Sequence, residues 1–143
     1  MESDAERLDI YRRLYRFETL SDCTAMRQEL TDRFGEYPEE VEHLFCLIEL
    51  KILASSMRVT KVELVQSTLK LFFPPPEEKS FYEGDLAPFQ RYARRMQEAK
   101  AIPSRLKQEG KQMFLELRLP KTENEKDRLA RVRQYLDFLN LPE

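Results

Sequence analysis

The side chains best suited to chemistry in this sequence are one histidine, two cysteines and several neighbouring carboxylates. His43 lies three residues before Cys46, a spacing that places both on one face of a helix. Two candidate ligands do not complete a zinc site, which needs three or four. We therefore predict no metal site, and we interpret Cys23 and Cys46 as small apolar residues within helices.

Neighbouring acids such as Glu39 and Glu40 suggest the two carboxylates of a hydrolase. Adjacent helical positions point about 100° apart, however, so these carboxylates do not converge on one substrate atom. A phosphate-binding loop needs clustered glycines, whereas Gly35, Gly84 and Gly110 are dispersed. The sequence therefore predicts no catalytic residue, no cofactor and no enzyme activity for this chain.

Length and composition favour one globular domain. The chain has 143 residues, of which 41% are hydrophobic and 35% charged, enough apolar surface for a packed core. A formal net charge of -2 argues against a dedicated nucleic-acid binder. No stretch approaches the roughly 20 apolar residues that span a bilayer, and the acidic start is unlike a signal peptide. We expect a cytoplasmic protein that does not contact membranes.

Hydrophobic periodicity predicts that three helices open the chain. They run from about Asp4 to Phe17, from an N-cap at Ser21 to Gly35, and from Pro38 to Met57. The apolar stripe predicted for the first helix consists of Leu8, Tyr11, Leu14 and Tyr15.

Beyond Met57 the apolar period changes from about four residues to two, which indicates strands. The pattern predicts a hairpin around Ser67, a loop from Pro74 to Asp85, a helix over 86–96 whose apolar face includes Leu86, a third strand over 113–119, and a last helix after caps at Thr122 and Asn124. The predicted fold class is α+β, with helices packed on a small, mostly antiparallel sheet of about three strands. Residues 1–143 form one predicted domain, with a helical half at 1–57, a sheet with an inserted helix at 58–119, and a terminal helix at 120–143.

Two segments carry opposite charge. Residues 21–57 have a local net charge of -5, and helical geometry places Glu29, Asp32 and Glu36 on one outward face. Such a face is either a solvated helix surface or an acidic patch for an arginine-rich partner, and composition alone favours the first.

The second charged segment spans residues 86–111 and has a local net charge of +5. Its basic residues are Arg91, Arg94, Arg95, Lys100, Arg105, Lys107 and Lys111. Long basic side chains that cover an apolar flank explain this pattern, although contact with nucleic-acid phosphates is an alternative.

Two segments resemble a known family. They are Arg7–Leu14, which reads RLDIYRRL, and Glu29–Val41, which contains the signature E-L-x-D-R-F-G-x-x-P. In these segments, and in the order of its predicted helices and strands, the chain resembles the carboxy-terminal domain of the bacterial transcription-repair coupling factor (Mfd). The resemblance covers almost the whole chain but is loose from Pro74 to Lys111.

The resemblance implies a regulatory domain of a large ATP-dependent DNA translocase that engages RNA polymerase, UvrA and DNA. In this family the domain docks on the UvrB-like module of the same protein and masks its UvrA-binding surface. The partner-binding residues implied by the matched motif are Glu29 and Asp32, with Arg33 and Glu36 at the rim. The alternative function is an accessory nucleic-acid contact through the basic 91–111 segment. The isolated fragment could also dimerise, with the first helix as the expected surface.

Overall fold

The computed structural model describes residues 4–98, 103–122 and 124–141, which form helices and an antiparallel sheet. The helices are α1 (Asp4–Tyr15), α2 (Leu20–Phe34), α3 (Glu39–Ser56), α4 (Lys79–Tyr82), α5 (Pro88–Glu98) and α6 (Glu125–Leu139). The strands are β1 (Lys61–Val65), β2 (Thr68–Phe72), β3 (Ser104–Glu109) and β4 (Gln112–Arg118). The predicted α+β class is confirmed. The chain divides into two compact units, Met1–Leu53 and Ala54–Glu143, whereas the single domain remains a prediction.

The first unit has its own core between α1, α2 and α3. Its buried members are Ile10, Leu14, Cys23, Met26, Leu30, Val41, Phe45 and Ile48. The helix predicted to open the chain is confirmed, but part of its predicted apolar stripe is wrong. Leu8 is 53% exposed and Tyr15 is 63% exposed, because the helix turns Ile10 and Leu14 into the core instead. Helical spacing alone is compatible with the predicted stripe and with the observed one. Packing against α2 and α3 determines which of the two is buried.

Helix α2 begins two residues earlier than a cap at Ser21 would allow. Thr19 is the N-cap residue: its Oγ1 accepts the Asp22 backbone N–H at 3.2 Å, and the Asp22 carboxylate accepts the Thr19 N–H at 3.3 Å. This reciprocal capping box satisfies two amides that a helix start leaves unpaired. The prediction of Ser21 as the cap was therefore wrong, since Ser21 lies in the first turn.

The end predicted for α2 is confirmed at Gly35. The backbone there has φ of 70° and donates its N–H to the Thr31 carbonyl at 2.9 Å. A left-handed φ favours glycine because a Cβ would strain the backbone. The chain can then reverse, and α3 follows after Pro38 as the sequence predicts.

The second unit contains the sheet, with strand order β1-β2-β4-β3 and every neighbouring pair antiparallel. Val62, Leu71, Leu115 and Leu106 pair in register and form one apolar row across all four strands. The hairpin around Ser67 and the strand over 113–119 are confirmed. Strand β3 was not predicted, because Leu106 is the only apolar residue in Ser104–Glu109 and the strand lies exposed at the sheet edge.

Aromatic residues pack around Phe73 beyond the end of β2. The rings of Phe81, Phe89 and Tyr92 lie 5.4, 5.9 and 6.3 Å from that of Phe73. Phe81 belongs to α4, a one-turn helix inside the segment predicted as loop. Leu86 was predicted on the apolar face of the next helix, but it is 91% exposed because α5 begins only at Pro88.

The last helix, α6, was predicted correctly. Its N-cap is Asn124, whose Oδ1 accepts the Asp127 backbone N–H at 2.8 Å. Leu129, Val132 and Leu136 on its inner face are buried. None of the helices in the described ranges is long and apolar enough to span a membrane.

Candidate protein-interaction surface

The sequence-predicted binding residues lie at the carboxy-terminal end of α2 and just beyond it. We call Glu29, Asp32, Arg33 and Glu36 the acidic surface. Buried Met26 and Leu30 hold the opposite side of the helix against the core of the first unit. The helix therefore presents Asp32 and Arg33 to solvent, and Glu36 is exposed directly after Gly35.

Asp32 is an exposed carboxylate near the end of α2. One oxygen accepts a hydrogen bond from the Gln28 side-chain amide at 2.9 Å, one turn earlier on the helix. The bond is exposed, and its donor is neutral. Asp32 can therefore still accept strong hydrogen bonds from a cationic partner.

Glu29 is placed differently, because Arg13 of α1 binds it with both terminal nitrogens. The Arg13 Nη1–Glu29 Oε2 distance is 2.5 Å and the Nη2–Oε1 distance is 3.0 Å. These hydrogen bonds hold the pKa of Glu29 below its ordinary value. Arg33 adds a looser ion pair with Glu29 at 4.0 Å. Glu29 is therefore less available to a partner than Asp32, since Arg13 already binds it with two hydrogen bonds.

Arg33 is half-exposed and packs on its neighbour. Its guanidinium carbon lies 4.9 Å from the centre of the Phe34 ring, and 54% of its side chain is accessible. A cation–π contact of this kind helps to orient the guanidinium. Arg33 thus adds a positive charge to the exposed end of α2.

A network that sequence reasoning missed lies between α2 and α3. Arg27 binds Glu42 at 3.0 and 3.2 Å and Glu49 at 2.6 Å, and the Tyr37 hydroxyl donates to Glu42 at 2.6 Å. Burial opposes the charge of Arg27, but its hydrogen bonds to the two carboxylates raise its pKa overall. Burial together with the bond to Glu42 raises the pKa of Tyr37 to about 12.

The signal for this network was present in the sequence. Glu42 and Glu49 are seven residues apart and share a helix face, which otherwise buries apolar residues. A carboxylate at such a position needs a cation. Arg27 supplies it and joins the helix that carries the acidic surface to α3.

The basic residues of the 91–111 segment do not form one free patch. Arg91 donates to Asn140 Oδ1 at 3.1 Å, and Arg94 donates to the Asp85 carbonyl at 2.9 Å. Ion pairs join Arg95 to Glu98 at 3.1 Å, Lys107 to Glu116 at 2.9 Å and Lys111 to Glu77 at 3.7 Å. Lys100 lies outside the described residues. These internal contacts engage most of the basic side chains, whereas Arg105 is exposed on β3.

Candidate metal ligands do not cluster within the described part of the chain, where no group of three histidine, cysteine or acidic residues is suitably placed. Cys23 is buried and Cys46 is partly buried, and neither forms a disulfide within the described residues. Burial raises the pKa of the Cys23 thiol, which suits a packing role better than a reactive one.

Comparison with known proteins identifies relatives for about half of this chain. Transcription-repair-coupling factors of Bacillus subtilis and Helicobacter pylori are 33% identical over 66 residues and 31% identical over 78 residues. The matched segments cover 46% and 54% of this chain, but only 6% and 8% of those relatives.

A solved structure and a family model agree with these relatives. The crystal structure of a C-terminal domain of transcription-repair coupling factor matches with a TM-score of 0.74 over 97% of this chain and 81% of that chain, at 16% identity. This likeness establishes the fold, and the resemblance seen in the sequence is confirmed. The TRCF domain model matches residues 1–83, more than half of the 143 residues. This chain belongs to the TRCF domain family.

Proposed function

We propose that this chain is a regulatory interaction domain of a transcription-coupled DNA repair protein. It docks through the acidic surface on a UvrB-like module of the same protein and thereby masks the surface that binds UvrA. The parent protein is then an ATP-dependent DNA translocase that engages RNA polymerase and DNA in the cytoplasm. The observation that carries the proposal is that the family match covers residues 1–83, within which Asp32 and Glu36 are exposed carboxylates.

The structure supports a division of roles within the acidic surface. Asp32 and Glu36 are exposed to a partner, whereas Glu29 is bound by Arg13. A partner arginine that approaches Asp32 would form charge-assisted hydrogen bonds, which are about twice as strong as neutral ones. Glu29 then acts mainly by holding α1 against α2, with one face of its carboxylate left for Arg33.

A weak interface is sufficient when both partners belong to one chain. Docking is then intramolecular, and the effective concentration reaches the order of millimolar. A coupling free energy of roughly 1–3 kcal/mol would weaken UvrA binding several-fold to about a hundredfold. Docking of this strength can still be released. Exposed charge pairs have a strength that suits such a reversible latch.

The test is a titration of the separately expressed UvrB-like module with this chain. We expect Asp32→Ala to weaken binding by about two- to fivefold, the scale of one exposed charge pair. Glu29→Ala together with Asp32→Ala should weaken it further, and in the full-length protein should increase UvrA binding.

The matched control is Glu83→Ala together with Glu109→Ala. It removes two exposed carboxylates from the second unit and changes the net charge by the same amount. Binding unchanged by the acidic-surface variants, or reduced equally by the control, would remove the acidic surface from the interface.

A further inference from the structure

A polar cavity in the second unit has no part in the proposed docking. Its volume is about 380 Å³, and it lies where the β1–β2 turn, the end of β4 and helix α6 meet. Its described lining residues are Gln66, Ser67, Leu119, Pro120, Lys121, Thr122, Arg128 and Arg131. Three of these are cations and none is acidic, although the whole chain has more acids than bases.

Backbone hydrogen bonds hold the walls of this cavity together. The Leu119 N–H donates to the Ser67 carbonyl at 2.7 Å, which joins the end of β4 to the hairpin turn. Gln66 adopts a left-handed φ of 55° in that turn. The turn that carries the Ser67 hydroxyl is therefore fixed against the end of β4 before any ligand binds.

Helix α6 supplies two guanidinium groups to the third wall. Arg128 and Arg131 are three residues apart, so they project from the same face of the helix. Arg128 is tethered, because its Nη2 donates to the Leu64 carbonyl at 3.3 Å and its Nη1 lies 3.3 Å from Glu125. Its Nε is buried and has no hydrogen-bond partner.

Unlike Arg128, the other two cations that line the cavity are available to bind a ligand. No ion pair or hydrogen bond engages Lys121 or Arg131 within the described residues. Both side chains are exposed at the cavity. The site therefore offers one fixed guanidinium, two uncommitted cations and the hydroxyl groups of Ser67 and Thr122.

We propose that this cavity binds a phosphate group. A guanidinium fork matches phosphate oxygens, an ammonium adds a point charge, and hydroxyl groups donate to the remaining oxygens. The phosphate is either free or the terminal phosphate of a nucleic-acid strand, because both present the same dianionic group.

The experiment is an NMR titration of the ¹⁵N-labelled chain with inorganic phosphate, and separately with a trinucleotide that has either a 5′-phosphate or a 5′-hydroxyl. We expect saturable amide shifts confined to residues 66–67, 119–122 and 128–131. Arg131→Gln and Lys121→Gln should each weaken binding by about tenfold. Lys126→Gln is the matched control, because Lys126 is an exposed cation of the same helix that does not line the cavity, and it should change binding by less than about twofold.

Tighter binding of the 5′-phosphorylated trinucleotide than of inorganic phosphate identifies a nucleic-acid end, and equal binding identifies free phosphate. Three results would overturn the proposal. They are the absence of saturable shifts, an equal loss of affinity in all three variants, and the same shifts with acetate at equal ionic strength.

Discussion

Glu29 and Asp32 are both carboxylates on α2, yet they differ in what they contact. Glu29 accepts two hydrogen bonds from Arg13, whereas the described partner of Asp32 is the neutral amide of Gln28. Both members of the Arg13–Glu29 pair are more than a third exposed, at 37% and 39%. Water screens such a pair, so its contribution to stability is small even with good geometry.

At this scale we predict that Arg13→Ala lowers the free energy of unfolding by about 0.5 kcal/mol at neutral pH. The folded pKa of Glu29 lies below its ordinary value of 4.5, so the contribution is complete above that value and is lost as the pH falls through the folded pKa. Urea unfolding of the unchanged chain and of Arg13→Ala, at about pH 7 and about pH 3, measures this contribution. The difference in the free energy of unfolding between the two proteins should shrink at the lower pH. A constant difference would show that Arg13 acts by packing and not through Glu29.

At the scale of elements, helix α2 is joined to α3 by the Arg27 network. Arg27 and Glu49 have side chains that are 26% and 12% exposed, so this pair is better shielded from water than the Arg13 pair. Removal of one partner from a buried pair leaves an uncompensated charge, which costs more than the pair itself contributes. This link joins α2, and with it the acidic surface, to α3 in addition to the apolar core.

We predict that Arg27→Met destabilises the chain by about 2–3 kcal/mol, since Glu42 and Glu49 both lose the guanidinium that they bind. Chemical denaturation monitored by far-UV circular dichroism would measure the change. Arg33→Met on the same helix is the matched control and should cost less than about 0.5 kcal/mol, because Arg33 is exposed. Similar losses in the two variants would mean that the network contributes little.

At the scale of the whole molecule, the chain consists of two compact units, Met1–Leu53 and Ala54–Glu143. Helix α3 is continuous from Glu39 to Ser56 and so includes residues of both units. Helix formation is cooperative along the chain, so a shared helix favours joint unfolding. This is the physical basis for expecting the single domain that length and composition predict.

We predict that Leu14→Ala in the first unit and Leu71→Ala in the second each cost about 3 kcal/mol, since both leucines are completely buried. Residue-resolved NMR across a urea titration should show one common transition for both units in each variant. Leu8→Ala, at a 53% exposed position, is the control and should leave that transition nearly unchanged. Separate transitions for the two units would contradict the single domain.

Local patterns predicted the helices and strands whose signals lie close together in the chain. The capping and apolar spacing of α6, the glycine end of α2 and the alternation of β4 each reflect hydrogen bonds or burial within a few residues. Strand β3 escaped prediction although its partner β4 follows directly after Gly110 and Lys111, because its side chains are nearly all exposed and give no apolar alternation. The matched motif also suggested the four residues of the acidic surface, whose role remains a proposal.

By itself, the sequence determined the α+β class, the order of most elements and the family resemblance, because periodicity, caps and a local motif can be read along the chain. Only the tertiary structure decided which side chains meet. Arg13 reaches Glu29, Arg27 reaches Glu49, and Arg128 reaches the Leu64 carbonyl across separations of 16, 22 and 64 residues. Spacing can indicate that a buried carboxylate needs a cation, but it does not identify which cation, because the choice of partner depends on how two elements pack.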